Sequence, residues 1–113
     1  MRFQRSIGFR FRLRQYQVEI WFCPGGEHFA KHRHPHVTAR IFFLFGRMLF
    51  QKWSDAGNEK RLEIKTCSRR RTVLFGPMVW HAARVTGRCG VFMVLEQWMG
   101  MKPTSASTDI LFE

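Results

Sequence analysis

Alternation of apolar and polar residues over short segments is the feature that most limits what this chain can fold into. Every second residue is apolar from Ile7 to Leu13, and the same period continues from Tyr16 to Phe22. Side chains of a strand alternate between two faces, so this period predicts strands, whereas a helix needs a period of about 3.6 residues. We interpret Ile7–Leu13 as a half-buried strand whose arginine face is exposed to solvent.

Turn signals divide the rest of the chain into similar short apolar segments. Gly46 is predicted to end the apolar run Ile41–Phe45, and Ser54–Asn58 predicts a hairpin turn. His81–Val85 and Val91–Trp98 are predicted to pair with each other across residues 86–90. About eight short strands in 113 residues predict one all-β domain, a small sandwich or barrel.

The composition suggests where the predicted domain begins and ends. We assign residues 1–15 to an N-terminal strand or arm, residues 16–99 to the barrel and residues 100–113 to a loosely held tail rich in Ser and Thr. No apolar run reaches the roughly 18 residues of a membrane helix, and no secretory segment is evident. Three cysteines without CxxC spacing are typical of a reducing compartment, so we expect a cytoplasmic protein.

Basic residues outnumber acidic ones, 19 to 8, which gives a formal net charge of +11. Such a charge favours contact with nucleic acid or with acidic substrates. The basic residues are spread along the chain, however, and the run Arg69–Arg71 lacks flanking aromatic residues that would stack on bases. We therefore interpret the charge mainly as a solvated surface and rank nucleic-acid binding last.

Four of the five histidines lie within one short segment: His28, His32, His34 and His36. The fifth, His81, stands alone far along the chain. In an extended chain His32 and His34 point to the same face, and neutral imidazole is the commonest protein ligand of transition metals. Two imidazoles from one strand and one from a distant strand can form a three-nitrogen metal site.

The order of these features resembles the cupin family, whose fold is a small β-barrel or jelly roll. The first cupin motif reads G-x5-H-x-H-x(3,4)-E-x6-G, and Gly26, His32, His34 and Gly46 match it in register. The second motif is matched securely at His81 alone, since Gly76 takes the place of its proline and Met78 the place of its second glycine. The resemblance covers roughly residues 16–98.

The resemblance implies that His32, His34 and His81 bind one divalent transition metal, with Fe, Zn, Mn and Ni all open. The glutamate ligand of the family would fall at position 39, where this chain has Ala39. A three-histidine site without a carboxylate is therefore implied, similar to that of thiol dioxygenases in the same superfamily. Such a site keeps the full charge of the metal and favours an anionic co-ligand or a bound water of lowered pKa.

Other residues are weaker candidates for this site. His36 could be a fourth ligand, an acid or base at the barrel mouth, or an exposed loop residue, and His28 is interpreted as surface. Met78, Trp80, Ala39 and Glu96 are candidates for the pocket wall, although core packing is favoured for Met78 and Trp80. An inward carboxylate can orient a ligand histidine. We nevertheless expect Glu19, Glu96 and Gln97 at outward or edge positions, and strand parity places Arg40 outward.

Three functions remain open on the sequence alone. A mononuclear metalloenzyme acting on a small molecule is favoured, as an Fe(II) dioxygenase or a Zn-, Mn- or Ni-dependent hydrolase, lyase or isomerase. A non-catalytic cupin that binds a small ligand or has a regulatory role is the alternative, and a basic nucleic-acid-binding barrel is third. A homodimer is expected that buries Phe42, Leu44 and part of the strand Phe9–Leu13.

Overall fold

The computed structural model describes residues 2–3, 5–99 and 111–112, and these residues form strands and turns with no helix. The all-β prediction is therefore confirmed. Nine strands follow one another along the chain: β1 (Arg2–Phe3), β2 (Ser6–Leu13), β3 (Tyr16–Pro24), β4 (His28–Arg33), β5 (Val37–Trp53), β6 (Glu59–Lys65), β7 (Thr72–Phe75), β8 (Trp80–Trp98) and β9 (Leu111–Phe112).

Two long antiparallel strands, β5 and β8, run through both walls of the barrel. Residues 37–46 of β5 pair with residues 90–98 of β8, and this half of the ribbon is extended by β3, β2 and β1 on one side and by β7 on the other. Residues 48–53 of β5 pair with residues 80–85 of β8, and that half is extended by β4, β9 and β6. We call these two walls the first sheet and the second sheet.

The ribbon passes from one sheet to the other where Gly46 lies opposite Gly90. A Cβ on Gly46 would lie 2.1 Å from the Cys89 carbonyl oxygen, and Gly46 has a φ of 98°. A Cβ on Gly90 would lie 2.5 Å from the Met48 side chain. Only glycine permits this close approach of two backbones at the bend.

Two strand predictions are wrong for this reason. Gly46 was expected to end a strand, but it bends β5, which continues to Trp53. Segments His81–Val85 and Val91–Trp98 were expected to pair with each other, but both belong to the single strand β8 and pair with the two halves of β5. A glycine in an apolar run can mark the end of a strand, but in a long two-stranded ribbon it can also mark the position where both strands bend.

Inward-facing apolar side chains of both sheets form one core. The cluster contains aromatic and aliphatic residues from β3, β5, β6, β7 and β8: Trp21, Ile41, Phe43, Met48, Phe50, Ile64, Val73, Phe75, Val85, Phe92 and Val94. Burial of this set supplies most of the free energy that holds the sheets together, at about 25 cal/mol per Å² of apolar surface.

Strand β2 presents its apolar face to the outside, so the prediction that this face is covered is wrong for the single chain. On the arginine face Arg10 is half-buried and Arg12 is exposed, so only part of that face meets solvent as predicted. Phe9 and Phe11 are 53% and 64% exposed, whereas Ser6 on the opposite face is fully buried. The inward face can be polar because Arg10 donates to the buried carboxylate of Glu19 at 3.2 Å. A periodicity of two identifies a strand but does not decide which of its faces is covered.

The hairpin between β5 and β6 forms where it was predicted, since the Ser54 amide donates to the Asn58 carbonyl and the Gly57 amide to the Ser54 carbonyl. Most of the predicted tail, residues 100–113, lies outside the described residues, but Leu111 and Phe112 pair with Arg33 and His32. In the described part of the chain, no helix is long and apolar enough to cross a membrane.

Candidate metal centre

Three histidines from two parts of the chain meet between the sheets. His32 lies in β4 and pairs directly with His81 of β8 across the second sheet, next to a register shift between Phe29 and His32. His34 follows the end of β4, and its carbonyl accepts a hydrogen bond from the Met78 amide at 2.9 Å. That bond ties the loop after β4 to the loop before β8, so it fixes the two histidine segments relative to each other.

The three imidazoles are close enough to share one ion. One ring nitrogen from each of His32, His34 and His81 lies within 4.8 Å of the other two. The ring centroids of His32 and His81 are 4.2 Å apart, and those of His34 and His81 are 5.4 Å apart. Nitrogens bound to a tetrahedral metal at about 2.0–2.1 Å lie about 3.4 Å apart, so nitrogens within 4.8 Å of one another approach the spacing that one ion requires.

Backbone carbonyls select the tautomer of two of these histidines. Nδ1 of His32 donates to the Ala30 carbonyl at 2.6 Å, and Nδ1 of His81 donates to the Val79 carbonyl at 2.9 Å. Each ring then carries its lone pair on Nε2. Such a hydrogen bond to the other ring nitrogen is the usual way in which proteins orient a metal-binding histidine.

Burial keeps the cluster in the neutral form that a metal requires. Burial, followed by the neighbouring rings of His32 and His34, lowers the pKa of His81 to about 3 against the opposing effect of the Val79 carbonyl. Burial also lowers the pKa of His32. Because metal ligation needs deprotonated imidazoles, these shifts make the site ready for a cation at neutral pH.

One aromatic ring completes the wall beside His81, and sequence reasoning missed it. The Phe75 ring stacks on the His81 ring at a centroid distance of 4.3 Å and an interplanar angle of 11°. Phe75 is 3% exposed, so it shields one face of the imidazole from water. The pairing that brings β7 against β5 could not be read from the sequence, because β7 and β8 are separated only by a turn and do not pair with each other.

The other predicted histidines lie apart from the cluster. His28 is exposed, as expected, and His36 is also exposed, in the turn that precedes β5. Among the described residues the metal-competent group comprises His32, His34 and His81 without His36. A catalytic role for His36 stays a prediction.

Two of the predicted pocket residues, Met78 and Trp80, lie in the turn before β8 and at the first position of β8. Met78, at the place of the second motif glycine, has a φ of 63°, in the left-handed region that glycine adopts at little cost. The Trp80 ring packs against the Arg33 guanidinium at 4.5 Å and the Lys31 ammonium at 5.7 Å. A pocket-wall role for Met78 and Trp80 stays a prediction.

Ala39 and Glu96 are buried partners in the first sheet. They lie opposite each other, and Ala39 lies opposite Phe75 on its other side. The expectation of outward or edge positions is wrong for Glu96 and Glu19, which are only 7% and 8% exposed, whereas Gln97 and Arg40 are exposed. Position 39 therefore supplies no carboxylate, while the adjacent strand carries one on the same inward face.

A hydrogen-bond network explains how two carboxyl groups are accommodated inside the barrel. The Gln17 amide donates to Glu19 at 3.2 Å and to Glu96 at 3.3 Å, and the Trp21 indole donates to Glu19 at 3.3 Å. Burial, followed by the charge of Glu19, raises the pKa of Glu96 to about 8. The hydrogen bond between the two carboxyl groups also raises the pKa of Glu96, so Glu96 is protonated at neutral pH.

Comparison with known proteins identifies solved structures of similar shape. An oxalate oxidase in complex with glycolate gives a TM-score of 0.72 at 13% identity over 95% of this chain and 54% of that one. The Lactobacillus farciminis oxalate decarboxylase, in a formate complex, gives 0.77 at 11% identity over 96% and 33%. CapF with the inhibitor 3-isopropenyl-tropolone gives 0.79 at 13% identity over 99% and 32%.

This chain thus spans about half of the oxidase and about a third of the other two proteins. No protein-family model and no curated protein matches the sequence. At these identities the likeness establishes the fold and leaves activity and substrate open.

Proposed function

Because this chain has the cupin fold and gathers three histidines between its sheets, we propose that it is a metal-binding cupin and a mononuclear metalloenzyme acting on a small molecule. The ion would be one divalent transition metal held by His32, His34 and His81. Three imidazoles suit Fe, Zn, Mn and Ni, so the donor set does not select one of them.

The observation that carries this proposal is the convergence of ring nitrogens from β4, from the loop after it and from β8 within 4.8 Å. His32 and His81 direct Nδ1 to the backbone carbonyls of Ala30 and Val79, which leaves Nε2 as the basic nitrogen of each ring. That arrangement suits a cation shared among the rings.

The residues around the centre have distinct roles in this proposal. The three histidines hold the ion with ligand positions left for substrate, and Phe75 covers one face of His81 against water. A bound metal would supply Lewis-acid chemistry or, as Fe(II), chemistry with O₂. Because Ala39 contributes no carboxylate, the protein adds no negative charge to the ion, and an anionic co-ligand is favoured.

The proposal is tested by metal content. Untagged protein, a His32→Ala/His34→Ala variant and a His28→Ala/His36→Ala variant are compared by plasma mass spectrometry after growth in metal-supplemented medium. The last variant is a matched control, because it also removes two histidines of the same segment but outside the cluster. We expect about one equivalent of metal in the wild type and in the control, and loss of the metal from the first variant.

The metal found would also choose the activity assay. Iron would lead to measurements of O₂ consumption with thiols and other small anions, and zinc, manganese or nickel to hydrolase, lyase and isomerase substrates. Wild-type protein that folds but binds none of these metals on reconstitution would contradict the proposal. It would favour a non-catalytic cupin that binds a small ligand.

A further inference from the structure

A second recess opens beside the candidate metal centre, between strands β6 and β7. Both strands pair with β5 but not with each other, and residues of both line a gap. The gap is a cleft of about 110 Å³. Its apolar lining comes from Phe50, Leu62, Val73 and Phe75. The volume suits a small molecule and is too small for a stretch of polymer.

The polar lining of the cleft is strongly cationic. Lys52, Lys60, Arg61 and Arg70 line it together with the neutral Gln51, and none of the described residues that line it is acidic. Arg61 is compensated by Glu59 at 2.6 Å, and the Lys52 ammonium donates to the Leu74 carbonyl at 3.3 Å. Within the described part of the chain, neither Lys60 nor Arg70 has an acidic partner.

Two of these cations stand directly opposite each other. Lys52 of β5 pairs with Lys60 of β6, and like charges at a cross-strand position repel. Both continue the inward-facing positions of their strands, two residues beyond Phe50 on β5 and two before Leu62 on β6. An anion between the two ammonium groups would remove the repulsion, so the pair is suited to bind one.

The cleft adjoins the histidine cluster. Across the second sheet His32 pairs with His81, His81 with Lys52, and Lys52 with Lys60, so the histidines and lysines form one row. Side chains directly opposite each other have Cβ atoms about 4.5–5.5 Å apart. Phe75 belongs to both regions, because it lines the cleft and stacks on His81.

We propose that this cleft binds a small organic anion, with its carboxylate held by Lys52, Lys60 and Arg70 and its apolar part on Leu62, Val73 and Phe75. Charge-assisted hydrogen bonds fix the head group, and the lining buries a short hydrocarbon chain. The cleft is thereby an anchoring site that selects amphipathic carboxylates for the adjacent centre. That last role rests on the proposed metal centre, whereas anion binding by itself does not.

The test uses 3-methylbutanoate as the probe and the whole metal-free chain as the protein. Titration is followed by ¹H–¹⁵N NMR at low chloride concentration, with 3-methylbutanamide as the neutral isostere and acetate as the anion without a hydrocarbon chain. We expect saturable shifts centred on Lys60, Leu62 and Val73, and binding weaker by roughly tenfold for the amide, because the charge-assisted bonds are lost.

A matched pair of variants distinguishes a specific anion site from general attraction of anions to a basic surface. Lys60→Gln/Arg70→Gln removes two cations of the cleft, and Lys65→Gln/Arg69→Gln removes one lysine and one arginine that are exposed outside its lining. We expect the first variant to weaken 3-methylbutanoate binding by roughly tenfold and the second to change it less than about twofold. All four side chains are exposed, so both variants should fold, which the dispersion of the same spectra checks.

Equal losses in the two variants, shifts spread over the whole basic surface, or equal binding of the amide would overturn the proposal. Since the titration is made on metal-free protein, its result does not depend on the metal centre. Repeating it on metal-loaded protein then tests anchoring, since the shifts should extend to the His81 amide only if the two sites share a ligand.

Discussion

Glu96 shows how one buried residue can make the stability of the barrel depend on pH. Its pKa is raised to about 8 by burial, by the charge of Glu19 and by the hydrogen bond between the two carboxyl groups, while Gln17 and Arg10 oppose the shift. The folded chain therefore holds a proton that the unfolded chain releases at its ordinary pKa of 4.5. The stability that this provides is present below that value and is lost as the pH rises through 8.

We accordingly expect Glu96 to lower the stability of the wild-type protein by an amount on the order of 4 kcal/mol between about pH 5 and pH 9, at about 1.4 kcal/mol for each pKa unit. Glu96→Gln should remove most of this slope, because an amide keeps the shape of the neutral acid and does not titrate. The measurement is urea unfolding at a series of pH values. Glu63→Gln is the control, since Glu63 is a carboxylate on the surface. A slope unchanged in Glu96→Gln would show that the proton is held elsewhere.

The bend in the β5–β8 ribbon is the element that brings the two sheets together. Gly46 and Gly57 both have positive φ values, 98° and 85°. A Cβ at Gly57 would meet nothing within 4 Å, whereas a Cβ at Gly46 would overlap the Cys89 carbonyl. Substitution of Gly57 by alanine therefore measures the cost of the backbone conformation alone, and substitution of Gly46 measures that cost together with a steric clash.

Gly57→Ala should destabilise the fold by about 1 kcal/mol, the cost of a left-handed conformation for a residue with a side chain. Gly46→Ala should cost at least about 3 kcal/mol, because the bend itself must open. Both free energies of unfolding are obtained from denaturant titrations, with metal binding measured alongside. Similar losses of stability at Gly46 and Gly57 would mean that the bend accommodates a methyl group. The close approach of Gly46 and Gly90 would then not be required for the bend.

The whole molecule exposes a broad apolar face on the outside of the first sheet. Ile7, Phe9, Phe11 and Leu13 of β2 lie beside outward residues of β3, β8, β5 and β7. Five strands spaced about 4.8 Å apart and some seven residues long give an area on the order of 500 Å². A patch of this size is at the upper end of what a monomer exposes and is often functional. Two such faces together, about 1,000 Å², approach what a specific dimer buries, about 1,200–2,000 Å².

We propose that a second copy of the chain covers this face. Arg40 is the charged residue among the described outward residues of these strands, so few like charges would meet if two such faces packed together. Leu44 and Phe42, expected at the interface from the sequence, are 44% exposed and half-buried, respectively. Self-association through the first sheet would leave the cleft between β6 and β7 open, because that cleft lies at the barrel edge.

Light scattering at micromolar concentration should give twice the chain mass of 13.5 kDa for the wild type. The Phe9→Glu/Phe11→Glu variant should have the mass of one chain, because dimer formation would desolvate two carboxylates in the interface of each copy. Arg84→Glu, on the outer face of the second sheet, is the control and should remain dimeric. A wild-type mass of one chain would rule the dimer out.

Sequence patterns alone predict the all-β class, the hairpin at Ser54–Asn58 and the histidines that form the candidate centre. These follow from local rules: side chains alternate along a strand, turns need particular residues, and neutral imidazole binds metals. The motif spacing also carried the prediction that His32 and His34 would meet His81, which the structure places within one group.

Only the tertiary structure decided which faces are covered and which residues become neighbours. Periodicity is the same whichever face of β2 turns inward, so the burial of Ser6 beneath an exposed Phe9 had no local signal. The stacking of Phe75 on His81, the raised pKa of Glu96 beside Glu19, and the row that joins His81 to Lys52 and Lys60 all depend on strand register. Register is set by packing between segments far apart in the chain, and a single sequence does not reveal which segments will meet.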